Sequence, residues 1–148
     1  MKNIEYIQDY LHEHIPLSKA MGVEVLEATL DRVTLSAPLE PNINHRETIF
    51  GGSASALSIL SAWCLVHFRL QNENLNCRVV IQKNTMSYDK PILGTFEAIC
   101  SLENRELWEK FIKILKRKGK ARIVLNSTLE YSKTIVGVFE GSFVAISI

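Results

Sequence analysis

From Thr48 to Phe68 this chain carries no Asp, Glu, Lys or Arg. A stretch of that length and composition reads as a helix buried on nearly all sides. At about 20 residues it would be some 30 Å long, enough to cross a single sheet. It opens on Gly51-Gly52-Ser53, and a polar loop holding Asn42, Asn44 and His45 precedes it. The start of a helix offers free backbone N–H groups and the positive end of the helix dipole. Beside amides and an imidazole, such a start is suited to holding a developing oxyanion.

The remaining pattern supplies what the helix would cross. Ile4, Ile7 and Leu11 lie on one face of a short helix that stops before Pro16. Val23 and Val25, then Val33, Leu35 and Ala37, alternate with polar neighbours, so Gly22–Leu39 reads as two strands about a Leu30-Asp31-Arg32 turn. The central helix is expected from Gly51 to Leu70, with Gln71–Asn76 as a polar turn. Strands follow over Arg78–Tyr88 and Thr95–Leu102, separated by Asp89-Lys90-Pro91. Asn104–Lys118 is a second amphipathic helix, with Asn104 as N-cap, Leu107, Trp108, Phe111, Ile112 and Leu115 as its apolar stripe, and Gly119 as its stop. Arg122–Tyr131 and Ile135–Ile148 are the last strands, and Gly137 and Gly141 mark a bulge or a close backbone approach. Two strands before a long helix and four after it describe one α+β domain over residues 1–148, an antiparallel sheet wrapped around a helix.

Several function classes are disfavoured by composition. The net charge of +1 gives no bulk signal for nucleic acid. Cys64, Cys77 and Cys100 lack CxxC spacing, and an odd count with no signal peptide fits free thiols in a reducing cytoplasm. Cys64 and Cys100 sit in apolar patterns and read as core rather than as nucleophiles. Thr48–Phe68 is long enough to span a membrane, but Ser53, Ser55, Ser58 and Ser61 dilute it and the strands need a helix to cover. His12, His14 and His67 have no ligand-like partners in the pattern, so no metal site is expected.

The element order and three local sequences resemble the hot-dog fold of acyl-thioester enzymes. HIPLSKAMGVEV (His14–Val25) looks like the entry into the first hot-dog strand. FGGS (Phe50–Ser53) stands where thioesterases of the phenylacetyl-CoA type often carry His-Gly-Gly, and SYDKPILGTFEA (Ser87–Ala98) is similar to their Tyr-x-x-Pro…Gly connection. APLEPNINHRETIFGGS is closer still to one bacterial family, found alone or fused to an acetyltransferase domain. Its members are usually labelled thioesterases, and some are known as malonyl-carrier-protein decarboxylases of fatty acid synthesis. The resemblance implies an acyl carrier protein or coenzyme A thioester as substrate, no separate cofactor, and a homodimer or dimer of dimers with sites at the subunit interface.

The chemistry departs from the hydrolytic pattern. The histidine position is Phe50, and the helical acid found about nine residues later in the phenylacetyl-CoA type is here Ile59. Hydrolysis needs an activated water or nucleophile. Decarboxylation of a malonyl thioester needs chiefly a cradle for the enolate oxygen, and one preorganised donor there is worth about 10²–10³ in rate. Asn44, by resemblance to the family's PNIN asparagine, is expected to orient the thioester carbonyl, although loop turns are the ordinary use of Asn42 and Asn44. His45 would donate to the oxyanion or protonate the enolate, or simply brace the loop. Gly52 and Ser53 offer backbone N–H groups, with Ser53 also a candidate helix cap; Gly51-Gly52 gives the close approach a bound thioester needs, or simply packs the helix start on a strand. Tyr88 and Asp89 would line the substrate channel, although Asp89-Lys90-Pro91 reads first as turn chemistry, and Phe50 and Gly51 are grouped with the oxyanion and substrate-binding residues.

A basic cluster marks the second helix. Arg105, Lys110, Lys113, Lys116, Arg117, Lys118, Lys120 and Arg122 face only Glu106 and Glu109. A solvated helix face explains it; a landing site for an acidic carrier protein or coenzyme A phosphates, centred on Lys113, Lys116, Arg117, Lys118 and Lys120, is the functional reading. Two rivals to decarboxylation remain. One is a thioesterase drawing its base from Glu47, Asp89 or His45, and the other is a non-catalytic carrier-binding module.

Overall fold

A computed structural model describes residues 1–148. Helix α1 covers Ile4–His14 and a short α2 covers Pro16–Ala20, followed by β1 (Glu24–Ala28) and β2 (Arg32–Ala37). A 3-10 turn at Glu40–Asn42 leads to α3 (Gly51–Asn72), then β3 (Cys77–Tyr88), β4 (Phe96–Ser101), α4 (Arg105–Lys118), β5 (Lys120–Tyr131) and β6 (Thr134–Ser147). The six strands form one sheet in the order β1-β2-β4-β5-β6-β3, and every pairing is antiparallel. The sheet wraps around α3, which contacts β2, β3, β4, β5 and β6.

Local chemistry accounts for the boundaries. Asn104 caps α4, its Oδ1 accepting the Leu107 N–H at 3.2 Å, and Gly119 ends it in the left-handed conformation at φ 73°. Pro16 starts α2 at the first helical turn, where a missing N–H costs nothing; the pattern had not marked this helix. Helix α3 runs through Gln71 to Asn72, so the expected polar turn is shorter than the sequence suggests. Leu107 is exposed and stands off the apolar stripe, whereas Trp108, Phe111, Ile112 and Leu115 are buried. Gly137 is a close approach: a Cβ there would lie 2.8 Å from the Ser87 carbonyl oxygen of the neighbouring strand.

The core is continuous, and the charge-free helix supplies much of it through Leu57, Leu65, Phe68 and Leu70. Its serines are satisfied. Ser61 Oγ donates to the Ser58 carbonyl at 2.8 Å and lies 3.0 Å from Ser127 Oγ, which bonds the same carbonyl at 3.2 Å. Cys64 and Cys100 are buried, and burial pushes both thiols up, Cys100 to about 12, so neither is a ready thiolate.

Helix α3 is not buried on all sides, contrary to expectation. Ala56, Ile59, Trp63, His67 and Gln71 form a half-buried row. Trp63 Nε1 donates to the Val79 carbonyl of β3 at 2.9 Å, and the His67 ring stacks on Trp63 at 4.5 Å. Tyr10 of α1 sits between His14 at 4.2 Å and His67 at 5.3 Å. Burial, and secondarily the charge of His14, push the His67 imidazole down to about 4. His67 therefore folds neutral, and acid must charge it against its surroundings. Its contribution is fully present above about pH 6.5 and is lost as pH falls from there towards 4. Over that window the wild-type melting temperature should fall more than that of His67→Phe, which keeps the ring and cannot titrate; parallel pH profiles would remove His67 as a cause of acid lability.

Candidate active site

The loop before α3 is closed by two asparagines with different jobs. Asn42 is buried, and its Nδ2 donates to the carbonyls of Met21 and Pro38, both at 2.8 Å, tying the loop to the α2–β1 junction. Asn44 clips the turn itself. Its Oδ1 accepts the N–H of Arg46 at 2.8 Å and of Thr48 at 3.2 Å. Its Nδ2 donates to Thr48 Oγ1 at 2.9 Å and more weakly to the Ile49 carbonyl at 3.4 Å. This tight return places Glu47 at φ 63° and pairs Ile43 with Ile49. Ile49 N–H then donates to the Ile92 carbonyl at 2.9 Å, and Phe50 N–H to the Asn42 carbonyl at 2.8 Å.

Phe50 is the N-cap of α3, and no side chain caps it. The Ser53 and Ala54 N–H groups are taken by the Phe50 carbonyl at 2.9 and 3.1 Å. Two expectations for Ser53 are thereby corrected. It neither caps the helix with its hydroxyl nor presents a free backbone N–H, because the first turn closes on Phe50 instead. The N–H groups of Gly51 and Gly52 have no partner in the chain and are the available donors. The Phe50 ring, itself exposed, folds back over Gly52, where an added Cβ would lie 3.0 Å from its Cδ2.

A cavity of about 300 Å³ opens at this end of α3. Gly51 and Ala54 form its helix side, Tyr88, Lys90 and Ile92 its connection side, and Leu129 and Val136 close it from the sheet. Gly51 lies against the Tyr88 ring, where a Cβ would meet Cε1 at 3.5 Å. Gly51 and Tyr88 are both among the lining residues, while Phe50, Gly52, Ser53, Asn44 and His45 are not; Asn44 bonds the lining residue Ile49, and His45 is exposed. The lining contains no carboxylate and no imidazole, and its one charged residue is Lys90. Lys90 carries no functional signal in the sequence, since Asp89-Lys90-Pro91 reads first as turn chemistry. Asp89, beside it, accepts a hydrogen bond from Ser87 Oγ. Ile59, at the position of the hydrolytic acid, lies instead in an apolar groove of about 290 Å³ with Leu17, Met21, Leu60 and Trp63.

The basic helix is at the other end of the molecule. Trp108 Nε1 of α4 donates to Glu73, just past the C-terminus of α3, at 2.7 Å. The 22 residues of α3 put about 33 Å between that contact and Gly51. Lys113, Lys116, Arg117, Lys118 and Lys120 are exposed there, and from Lys120 along β5 to the cavity residue Leu129 is about 30 Å. The structure does not bring this cluster to the cavity of the same chain.

Known proteins share this fold. A family model described as "Putative thioesterase (yiiD_Cterm)" matches residues 4–147. A Chlorobaculum tepidum protein whose function is given as unknown is 31% identical, with a TM-score of 0.92 over 97% of this chain and 94% of its own. A Shewanella oneidensis protein called a "putative thioesterase" is 26% identical, with a TM-score of 0.86 over 97% of this chain and 96% of its own. A thioesterase from Haemophilus influenzae has the same fold at 12% identity, with a TM-score of 0.79 over 99% of this chain and 92% of its own.

Proposed function

Because this chain belongs to the hot-dog-fold family described as "Putative thioesterase (yiiD_Cterm)", we propose that it is an acyl-thioester enzyme whose reaction is decarboxylation of a malonyl thioester. Malonyl-carrier protein would become acetyl-carrier protein. The observation that carries this reading is the cavity at the start of α3, which pairs a free Gly51 N–H with a lining that has no acid and no histidine. In the reaction the carboxylate leaves as CO₂ and its electron pair moves to the thioester carbonyl, giving an enolate that is then protonated on carbon. Stabilising that enolate oxygen is the main demand, and the Gly51 and Gly52 N–H groups with the Asn44 amide are the donors assigned to it. The Asn44 Nδ2 contact to Ile49 is long enough that exchanging it for a substrate oxygen sacrifices little. His45, exposed at the loop, is assigned the proton return.

Hydrolysis is the second reading. Asp89 falls between two lining residues, Tyr88 and Lys90, and would serve as base if released from Ser87. Incubation with malonyl-carrier protein separates the readings. Acetyl-thioester is expected; free thiol without it supports the thioesterase, and unchanged but bound substrate supports a binding module.

A second copy of the chain completes the proposed enzyme. Strand β3 is a 12-residue sheet edge with no partner on its outer side, and such edges ordinarily pair or are blocked. The half-buried α3 row lies beside it, joined to it through Trp63 and Val79.

A further inference from the structure

Resting on the acyl-thioester reading, we infer that Lys90 receives the phosphate of the substrate's carrier arm at the cavity mouth, the phosphate shared by phosphopantetheine and coenzyme A. Lys90 is exposed and takes part in neither of the chain's two ion pairs, Arg32–Glu27 and Arg69–Asp31. Its neighbour Asp89 is turned to Ser87. The backbone beneath it is fixed, since the N–H groups of Asp89 and Lys90 both donate to the Val136 carbonyl, at 2.9 and 3.1 Å, and Pro91 follows. A free ammonium therefore stands on a rigid base at the rim of a cavity that is otherwise uncharged.

Two anions on the substrate compete for it. An ammonium on a malonyl carboxylate would stabilise the reactant more than the transition state, because negative charge leaves the carboxylate as the reaction proceeds. A phosphate keeps its charge throughout, so a cation there binds reactant and transition state alike. The arm must also leave the cavity through its mouth, where Lys90 is, whereas the α4 cluster is about 30 Å away along the sheet. Lys90 thus takes the phosphate contact that the sequence reading offered to Lys113, Lys116, Arg117, Lys118 and Lys120.

The test compares wild type, Lys90→Ala and Lys90→Glu on one acyl group carried by three thiols: the carrier protein, coenzyme A, and N-acetylcysteamine, which has no phosphate. With the first two, KM should rise about fivefold in Lys90→Ala, the size of one exposed charge contact, with kcat unchanged. It should rise further in Lys90→Glu, and the difference should shrink in high salt. With N-acetylcysteamine the three proteins should be equal. Equal losses on all three thiols, a fall in kcat, or a change with coenzyme A alone overturns the assignment. If wild type turns over none of them, the activity reading fails by itself. Calorimetric binding of coenzyme A then still decides the contact: weaker binding by Lys90→Ala upholds it and equal affinity overturns it.

Discussion

Asn44→Ala should lower kcat on a malonyl thioester about 10²–10³-fold, a loss of roughly 2.7–4 kcal/mol of transition-state stabilisation. Asn44→Asp makes the expectation specific. The carboxylate keeps an oxygen where Oδ1 accepts the N–H groups of Arg46 and Thr48, so it preserves that half of the clip. It loses the Nδ2 donor now spent on Thr48 and weakly on Ile49, and it brings a negative charge towards a developing oxyanion. If the amide donates to that oxyanion, Asp must be at least as damaging as Ala. If Asn44 serves only to fold the turn, Asp should retain turnover within about tenfold of wild type, and the oxyanion would be left to the amides of Gly51 and Gly52. Circular dichroism and thermal melting of both variants separate a lost donor from a lost fold.

The parts of this site that the sequence disclosed are those punctuated by special residues. Gly51-Gly52 marks the start of α3, and Gly119 and Asn104 bound α4, because each does something that few other residues do. Ser53 shows the limit. A serine at a helix start is a reasonable cap, but the Phe50 carbonyl takes the first-turn N–H groups and leaves the hydroxyl idle in that role. Which of several overlapping turns closes a helix depends on the direction from which the chain enters it. Here that direction is fixed by distant bonds, Asn42 to Met21 and Ile49 to Ile92. Lys90 is illegible in the sequence for a related reason: only the fold brings it to the same cavity as Gly51, 39 positions away in the chain. The charge-free run misled in one respect. Freedom from charge does not say what covers a helix, and the row from Ala56 to Gln71 is only half covered by its own chain.

Phe68→Ala should be the most destabilising single core substitution, at about 3–5 kcal/mol. The ring is 1% exposed and lies where α1 meets α3. It presents edge-on geometry to Tyr6 at 6.4 Å and Tyr10 at 5.4 Å of α1, and to Trp63 at 6.4 Å and His67 at 4.8 Å of its own helix. Such pairs add to simple burial, so truncation loses transfer energy, contact geometry and the filling of the space between α1 and α3 at once. Against a total stability of about 5–15 kcal/mol, that is a large share. Urea unfolding should show a lower midpoint with an unchanged slope. Phe68→Leu should recover most of the loss, since it refills much of the void. Phe68 is 17 residues from Gly51, about 25 Å along α3, so the folded fraction of Phe68→Ala should keep wild-type kcat. A loss below about 1.5 kcal/mol would mean that α1 closes over the void, and that the aromatic cluster holds the N-terminal helix less firmly than its geometry implies.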